Sequence, residues 1–262
     1  MNLDNCSALI TGASAGIGHE FARQLANRAK LLVLVARRSD RLKSLKEDLI
    51  NRNSQLRVEI QTVDLSEPLQ LDSLVNRLDQ NKIDIDFLIN NAGLGDVGPF
   101  ATSESARNQQ VMAVNMVALT NLTHALLPKM IARKRGAILN VGSTAGFLPI
   151  AGFAVYAASK AYVNSFSDAL HAELRGTGVS VTALCPGPVH TEFQDVAKRA
   201  DHEAEHGPEF VHLSPERVVR EALAAVEADR ALVIPGWLMK IGMALIRLTP
   251  LSILRRVSRT RN

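Results

Sequence analysis

Residues 156–160 read YAASK. On a helix, Tyr156 and Lys160 stand one turn apart on the same face. A free phenol titrates near ~10 and a free ammonium near ~10.4. A neighbouring cation favours the phenolate and lowers the tyrosine's pKa. That would make Tyr156 a proton donor or acceptor near neutral pH. The motif is short, and a helix can carry Tyr and Lys at this spacing with no chemistry attached. The rest of the chain has to decide.

A second group of residues points to a phosphate ligand. TGASAGIG, residues 11–18, follows the first apolar run and opens a helical one, with Gly12, Gly16 and Gly18 at the turn. Glycines there let the backbone turn sharply and approach a pyrophosphate seated on the helix N-terminus. The second apolar run, LLVLVARRSDRL, ends in Ala36, Arg37 and Arg38, with no acid before Asp40. An acid at this place favours the ribose 2′-hydroxyl of NAD, an arginine the 2′-phosphate of NADP. The reading is NADP(H), with NAD(H) as the alternative; Arg41 reads as a solvated residue of the following helix.

A third group is a decoy. HEAEH, residues 202–206, satisfies the H-E-x-x-H zinc signature, with His202, His206 and a more distant His212 as ligands and Glu203 as base. The longer form of that signature needs Gly where Glu209 stands, and Pro208 restricts a helix just after His206. The segment is polar throughout. A solvated lid is the better reading, and no metal site is expected.

The elements around these residues alternate. Apolar β-rich runs at 6–10, 31–36, 57–63, 85–90, 136–142, 179–185 and 231–234 are interleaved with amphipathic helical runs. The helical runs lie at 16–28, 39–53, 68–80, 106–133, 153–176, 215–228 and 237–248. That order predicts an α/β fold, a Rossmann-type doubly wound parallel sheet of about seven strands. The 262 residues, 47% hydrophobic and 21% charged, suit one domain over 1–262. A polar flap is expected at about 191–214 and an apolar, basic extension at about 235–262.

With these elements in place, the chain resembles the short-chain dehydrogenase/reductase family. The matching residues are TGASAGIG, Asp64-Leu65, NNAG (Asn90 to Gly93), Asn115 in VNMVA, Ser143 in NVGSTAG, Tyr156 and Lys160, and PGPVHT (Pro186 to Thr191). They occur in order, each at a strand end or in the helix beyond it. The resemblance implies a proton-transferring Tyr156 and a Lys160 that lowers its pKa and holds the nicotinamide ribose. It implies a Ser143 bonded to the substrate oxygen and an Asn115 that positions a water. Cofactor contacts are implied for Gly12, Ser14, Gly16, Ile17 and Gly18, and for Arg37, Arg38, Asp64 and Leu65. Further contacts are implied for Asn91, Ala92, Gly93, Tyr156, Lys160, Pro186, Gly187, Val189 and Thr191. The implied activity is hydride transfer between NADP(H) and a carbonyl or alcohol, with a hydrophobic ketone or aldehyde as the expected substrate. Alternatives are an NAD-linked alcohol dehydrogenase and a non-catalytic cofactor-binding or membrane-associated protein.

Charge and cysteines complete the reading. Residues 232–262 hold six basic residues and no acid, leaving 24 basic and 26 acidic residues, a net −2, for the remainder. The basic character belongs to the tail, so no nucleic-acid partner is expected. Cys6 and Cys185 make no disulfide framework, and a reducing, cytoplasmic setting is the simple expectation. No secretory leader is read in MNLDNCSALITGAS, and no segment reads as a membrane span. The tail is expected to pack on the core or in an oligomer interface, and the resemblance implies a homodimer or homotetramer paired through the helical runs at 106–133 and 153–176. Peripheral contact with a membrane surface is the alternative.

Overall fold

Strands form where nearly uncharged runs of Leu, Ile, Val and Ala stand between helix-forming segments. In SALIT, LLVLVA and GAILNV every residue is buried, as strands covered on both faces require. The computed structural model describes residues 1–199 and 212–249. In it β1 (Ser7–Thr11), β2 (Leu31–Ala36), β3 (Arg57–Thr62), β4 (Phe87–Asn90), β5 (Gly136–Val141), β6 (Val179–Leu184) and β7 (Leu232–Val233) form one parallel sheet. The order is β3-β2-β1-β4-β5-β6-β7. It reverses between β1 and β4, and in such sheets the ligand crevice opens there, outside the carboxyl ends of the strands.

Helices cover both faces. α1 (Gly16–Leu25), α2 (Ser39–Arg52) and α8 (Pro215–Glu227) bury Phe21, Leu25, Leu42, Leu49 and Val219 against Ile10, Leu32 and Leu34. On the other face, α3 (Pro68–Gln80) and α5 (Leu119–Ala132) bury Leu74, Leu122, Leu126 and Met130 against Leu9, Val33 and Leu88. Neighbouring residues of one strand thus feed opposite cores, which is the period-two geometry of a strand. The remaining helices are α4 (Ser105–Met112), α6 (Ala154–Glu173), α7 (Phe193–Ala197) and α9 (Trp237–Leu248).

Three expectations need correction. The single helix expected at 106–133 is α4, then a π-helical segment at Ala113–Ala118, then α5. This continuous helical stretch is also long and apolar enough to cross a membrane, against the expectation that no segment is. Its Leu122, Leu126 and Met130 are buried against the sheet, so here the composition serves core packing. The flap at 191–214 contains the short helix α7, and residues 200–211 of it lie outside the described residues.

In the extension, Met239, Met243 and Ile246 of α9 pack with Cys185 and Ile234. Trp237, Ile241, Leu245 and Leu248 lie on its outer side with 54–82% of their surface exposed. Residues 250–262, with the four C-terminal arginines, lie outside the described residues. Cys6 and Cys185 are both buried and free.

A polar chain runs through the middle of the sheet. The Asn90 amide donates to Thr123 Oγ1 at 3.0 Å and to Asn140 Oδ1 at 2.9 Å. Asn140 Nδ2 donates to Ser167 Oγ at 3.0 Å. These four buried groups tie β4 and β5 to α5 and α6. Removing one member orphans the others at about 1–3 kcal/mol. Asn140→Ala is therefore expected to lower the melting temperature by about 4–10 °C. A thermal melt indistinguishable from the parent would show that the chain of bonds does not hold the layers together.

Candidate active site

The carboxyl ends of the strands open into a cleft of about 1120 Å³. Its walls come from the turn before α1, the tips of β2 to β6 and the segment leading into α7. Of the residues expected for catalysis and cofactor binding, all but Gly18 and Asn115 line it. Gly18 stands behind the glycine turn, where a Cβ would come within 2.4 Å of Gly12 O and of Asn91 Nδ2. Only a glycine lets α1 approach β4 so closely.

Tyr156 and Lys160 project from α6 and are both almost wholly buried. The Lys160 ammonium lies 5.7 Å from the centre of the Tyr156 ring and donates to Val141 O at 2.7 Å. Burial pushes the Tyr156 phenol up to about 12, against the opposing pull of a hydrogen bond with Ser143. Burial brings Lys160 down to about 8. The direction is opposite to the lowering expected from Lys160, because burial of the phenol dominates. The phenol described here is an acid that keeps its proton.

Around this pair, three side chains hold position. Asn115, in the π-helical segment, accepts from Leu94 N at 2.8 Å and donates to Leu94 O and Ser159 Oγ, both at 2.9 Å. Ser159 Oγ in turn donates to Tyr156 O at 2.7 Å. Asn164, one turn beyond Lys160, donates to Ser143 O at 3.1 Å. Phe153 stacks on Tyr156 at 4.3 Å between ring centres, and Phe193 of α7 closes the other side at 5.4 Å. Asn164, Ser159, Phe153 and Phe193 were not singled out from sequence. Asn164 was legible as a polar residue in phase with Lys160, whereas Phe193 reaches the ring only through the fold.

The other half of the cleft fits a dinucleotide. Gly12 and Gly16 have φ of +67° and +53°. A Cβ on Gly12 would meet Asn91 Nδ2 at 2.8 Å. No side chain caps α1 and no acid lies in its first turn, so its first N–H groups suit a pyrophosphate. At the β3 tip, burial works to raise the Asp64 carboxyl, but hydrogen bonds from Ser66 and the charge of Arg37 outweigh it, leaving the group below the usual range. Arg37 lies 3.6 Å from Asp64. The Arg38 guanidinium bridges to Ser14 Oγ at 3.3 Å and to Glu192 at 3.1 Å. Arg41, read from sequence as solvated, also reaches Glu192, at 2.7 Å.

The substrate end is apolar, with Val97, Leu148, Ile150, Phe153, Phe193 and Val196 in its wall. Phe147, next to Leu148 in sequence, packs away from this wall with Cys185 and Ile234. Arg199 pairs with Asp96 and donates to Pro99 O at 2.9 Å, binding the described part of the flap to the loop after β4. Of the zinc-like segment, His202, Glu203 and His206 lie outside the described residues. The His212 ring lies 5.0 Å from that of His190.

The Lys160 pKa carries a stability prediction. It lies near 8 in the fold and near 10.5 when unfolded. Below pH 8 both states are charged, and the fold bears the cost of burying the ammonium. Between pH 8 and 10.5 only the unfolded state binds the proton, so stability rises with pH. Lys160→Met is expected to melt above the parent at pH 7, an advantage that closes by pH 10.5. A variant that melts lower at pH 7 would mean that the bond to Val141 outweighs desolvation.

Comparison with known proteins agrees with this geometry. The family model described as short chain dehydrogenase matches residues 7–202. A sulfoacetaldehyde reductase of Chromohalobacter salexigens is 41% identical over 198 residues, covering 74% of this chain and 77% of the relative. An NADP-dependent 3-hydroxy acid dehydrogenase of Salmonella typhi is 38% identical over 197 residues, with 74% and 77% covered. The solved structure of a short-chain dehydrogenase from Sphingobium yanoikuyae in complex with NADPH superposes with a TM-score of 0.83 at 32% identity, covering 98% of this chain and 96% of that one. The chain belongs to the short-chain dehydrogenase family of oxidoreductases.

Proposed function

We propose that this protein is an NADP(H)-dependent reductase of apolar ketones or aldehydes, with Tyr156 as the proton donor. The observation that carries the reading is the inner end of the cleft, where a protonated phenol, a serine hydroxyl and an ammonium converge under two aromatic rings. The nicotinamide supplies the hydride. Tyr156 gives its proton to the oxygen that becomes the alcohol, and Ser143 bonds the same oxygen as charge develops on it. Lys160 places a positive charge behind the phenol, which offsets the charge left there when the proton departs. Phe153 and Phe193 exclude water. Burial keeps the phenol protonated at neutral pH, so the proton that reduction requires is in place.

Arg38 supports the phosphate-bearing cofactor, since it already joins the glycine turn through Ser14. A 2′-phosphate beside Ser14 would meet its planar fork of donors. The substrate wall supports an uncharged compound. Relatives are named for sulfoacetaldehyde and 3-hydroxy acids, which are small anions, but two arginines beside this wall are committed. Arg107 donates to Gly95 O at 2.6 Å and Arg199 pairs with Asp96. We also read Met112, Val117 and Ile131, exposed along the helical stretch from α4 to α5, as a contact with a second copy of the chain. Light scattering should find a dimer or tetramer, and a monomer at micromolar concentration would remove that reading.

Two measurements test the main reading. Fluorescence titration should show NADPH binding tighter than NADH, with Arg38→Ala raising the Kd for NADPH about tenfold and leaving NADH nearly unchanged. Tyr156→Phe should lower kcat by about 100-fold or more with little change in NADPH binding. Tighter NADH binding would reverse the cofactor assignment. A higher kcat/KM for an anionic carbonyl than for an apolar ketone would reverse the substrate assignment.

A further inference from the structure

Glu192 lies where the two halves of the cleft meet. It follows Thr191, at the end of the segment expected to contact the cofactor, and stands at the head of α7. Its carboxylate crosses the mouth of the cleft to the opposite wall. Oε2 accepts from Arg38 Nη1 at 3.1 Å, and both oxygens accept from Arg41 Nη1, at 2.7 and 2.8 Å. The same Arg38 guanidinium reaches Ser14 Oγ through both Nε and Nη2. Glu192 itself lines the cleft with Ser14, Arg37 and Arg38. An acid from the substrate side is therefore bound to the arginines that distinguish the cofactors. The Arg41 and Arg38 hydrogen bonds hold its carboxyl below the usual range, so the group is an anion at neutral pH.

We propose that Glu192 is a specificity-determining residue: an internal anion that occupies Arg38 and Arg41 and competes with the 2′-phosphate of NADP(H). The inference rests on the NADP(H) reading above and extends it with an opposing residue. A 2′-phosphate beside Ser14 brings two oxyanions against one guanidinium. Either Glu192 yields its bonds or the phosphate binds against its charge. In both cases the carboxylate lowers affinity for the phosphate-bearing cofactor and does little to NAD(H), whose ribose carries hydroxyls there. Glu192, Arg38 and Arg41 are each 42–50% exposed on their side chains. Such pairs are worth about 0.2–1 kcal/mol and are screened by salt, weak enough for a doubly charged phosphate to displace. Because Glu192 opens α7, which carries Phe193 onto Tyr156, the same exchange reaches the flap over the substrate. Arg41 becomes a second contributor to cofactor choice.

The test is a set of titrations with NADPH, NADH, 2′,5′-ADP and 5′-AMP against the parent and Glu192→Gln. The last two probes carry no nicotinamide and isolate the outer end of the cleft. The variant should bind NADPH and 2′,5′-ADP about two- to fivefold tighter, by the size of an exposed ion pair. NADH and 5′-AMP should change less than about twofold. The gain should shrink in 0.5 M salt and disappear when Arg38→Ala and Arg41→Ala are both present, since the competition then has no object. Equal gains for all four probes would overturn the proposal and mean that Glu192 acts by opening the flap. Weaker NADPH binding would also overturn it and mean that Glu192 holds the arginines ready for phosphate. The parent separates the two readings. A parent that prefers NADH defeats the NADP(H) assignment itself, whereas a parent that prefers NADPH with an unaltered variant defeats only the role of Glu192.

Discussion

Lys160 keeps a primary ammonium where water hardly reaches, and much of the surrounding structure answers to that charge. An unpaired buried charge is too costly for a fold of ordinary stability. Here it is met by the carbonyl of Val141 at 2.7 Å and by the face of the Tyr156 ring. The first partner requires β5 to end where it does. The second requires α6 to carry the tyrosine one turn before the lysine. A third requirement falls on Gly93, where a Cβ would come within 3.4 Å of Lys160 Nζ and 3.5 Å of Asn115 Oδ1. The NNAG turn, the end of β5 and the YxxxK helix are thus one arrangement around one nitrogen.

The rest of the inner cleft follows from holding α6 still. Asn115 clamps Leu94 through its backbone N–H and C=O and reaches Ser159 on α6. Below it, Asn90, Thr123, Asn140 and Ser167 join the two central strands to both flanking helices. Buried polar groups satisfied on all sides fix a register that apolar packing alone leaves free to slide. The serine loop is fixed from the same helix, by Asn164 on Ser143 O. The Tyr156 phenol and the Ser143 hydroxyl, proposed above to meet one substrate oxygen, are therefore both referred to α6, which limits their relative movement.

How much of this was legible in the sequence differs by element. The strands and most helices lie within a few residues of their expected places, because buried parallel strands are continuous apolar runs and the glycine turn and proline starts mark helix boundaries. The π-helical segment was not legible. Buried positions at 111, 114, 115, 118, 119, 122, 126 and 130 recur every three or four residues straight through it. Periodicity reports which face is buried, not whether the backbone ring closes on the fourth or the fifth residue. The pKa of Tyr156 was misjudged for a related reason. The spacing of YxxxK gives proximity to a cation, while the dominant influence is desolvation by burial, which only the fold determines. Arg38, Arg41 and Glu192 share the third kind of illegibility. Arginine reads alike whether solvated or paired, and its partner stands more than 150 residues away.

The two ends of the cleft obey different physics, and this division suits a protein that must hold a charged cofactor and a carbonyl or alcohol substrate together. At the inner end Ser143, Tyr156 and Lys160 are almost wholly buried. Each polar group there has a fixed partner, and electrostatic effects are strong because the local dielectric is low. Preorganised donors in such a place need no rearrangement when charge develops on a substrate oxygen. At the outer end Arg37, Arg38, Arg41, Asp64 and Glu192 are solvated and paired among themselves, so each bond is worth little and can be exchanged. A dinucleotide spans both. Its phosphates can displace weak pairs at the mouth while its reactive ring enters a region already arranged. The segment that connects the ends, from Pro186 through Thr191 to Phe193, lines the cleft at every position but His190. What binds at the arginines is therefore felt one residue beyond Glu192, at the ring that closes over Tyr156.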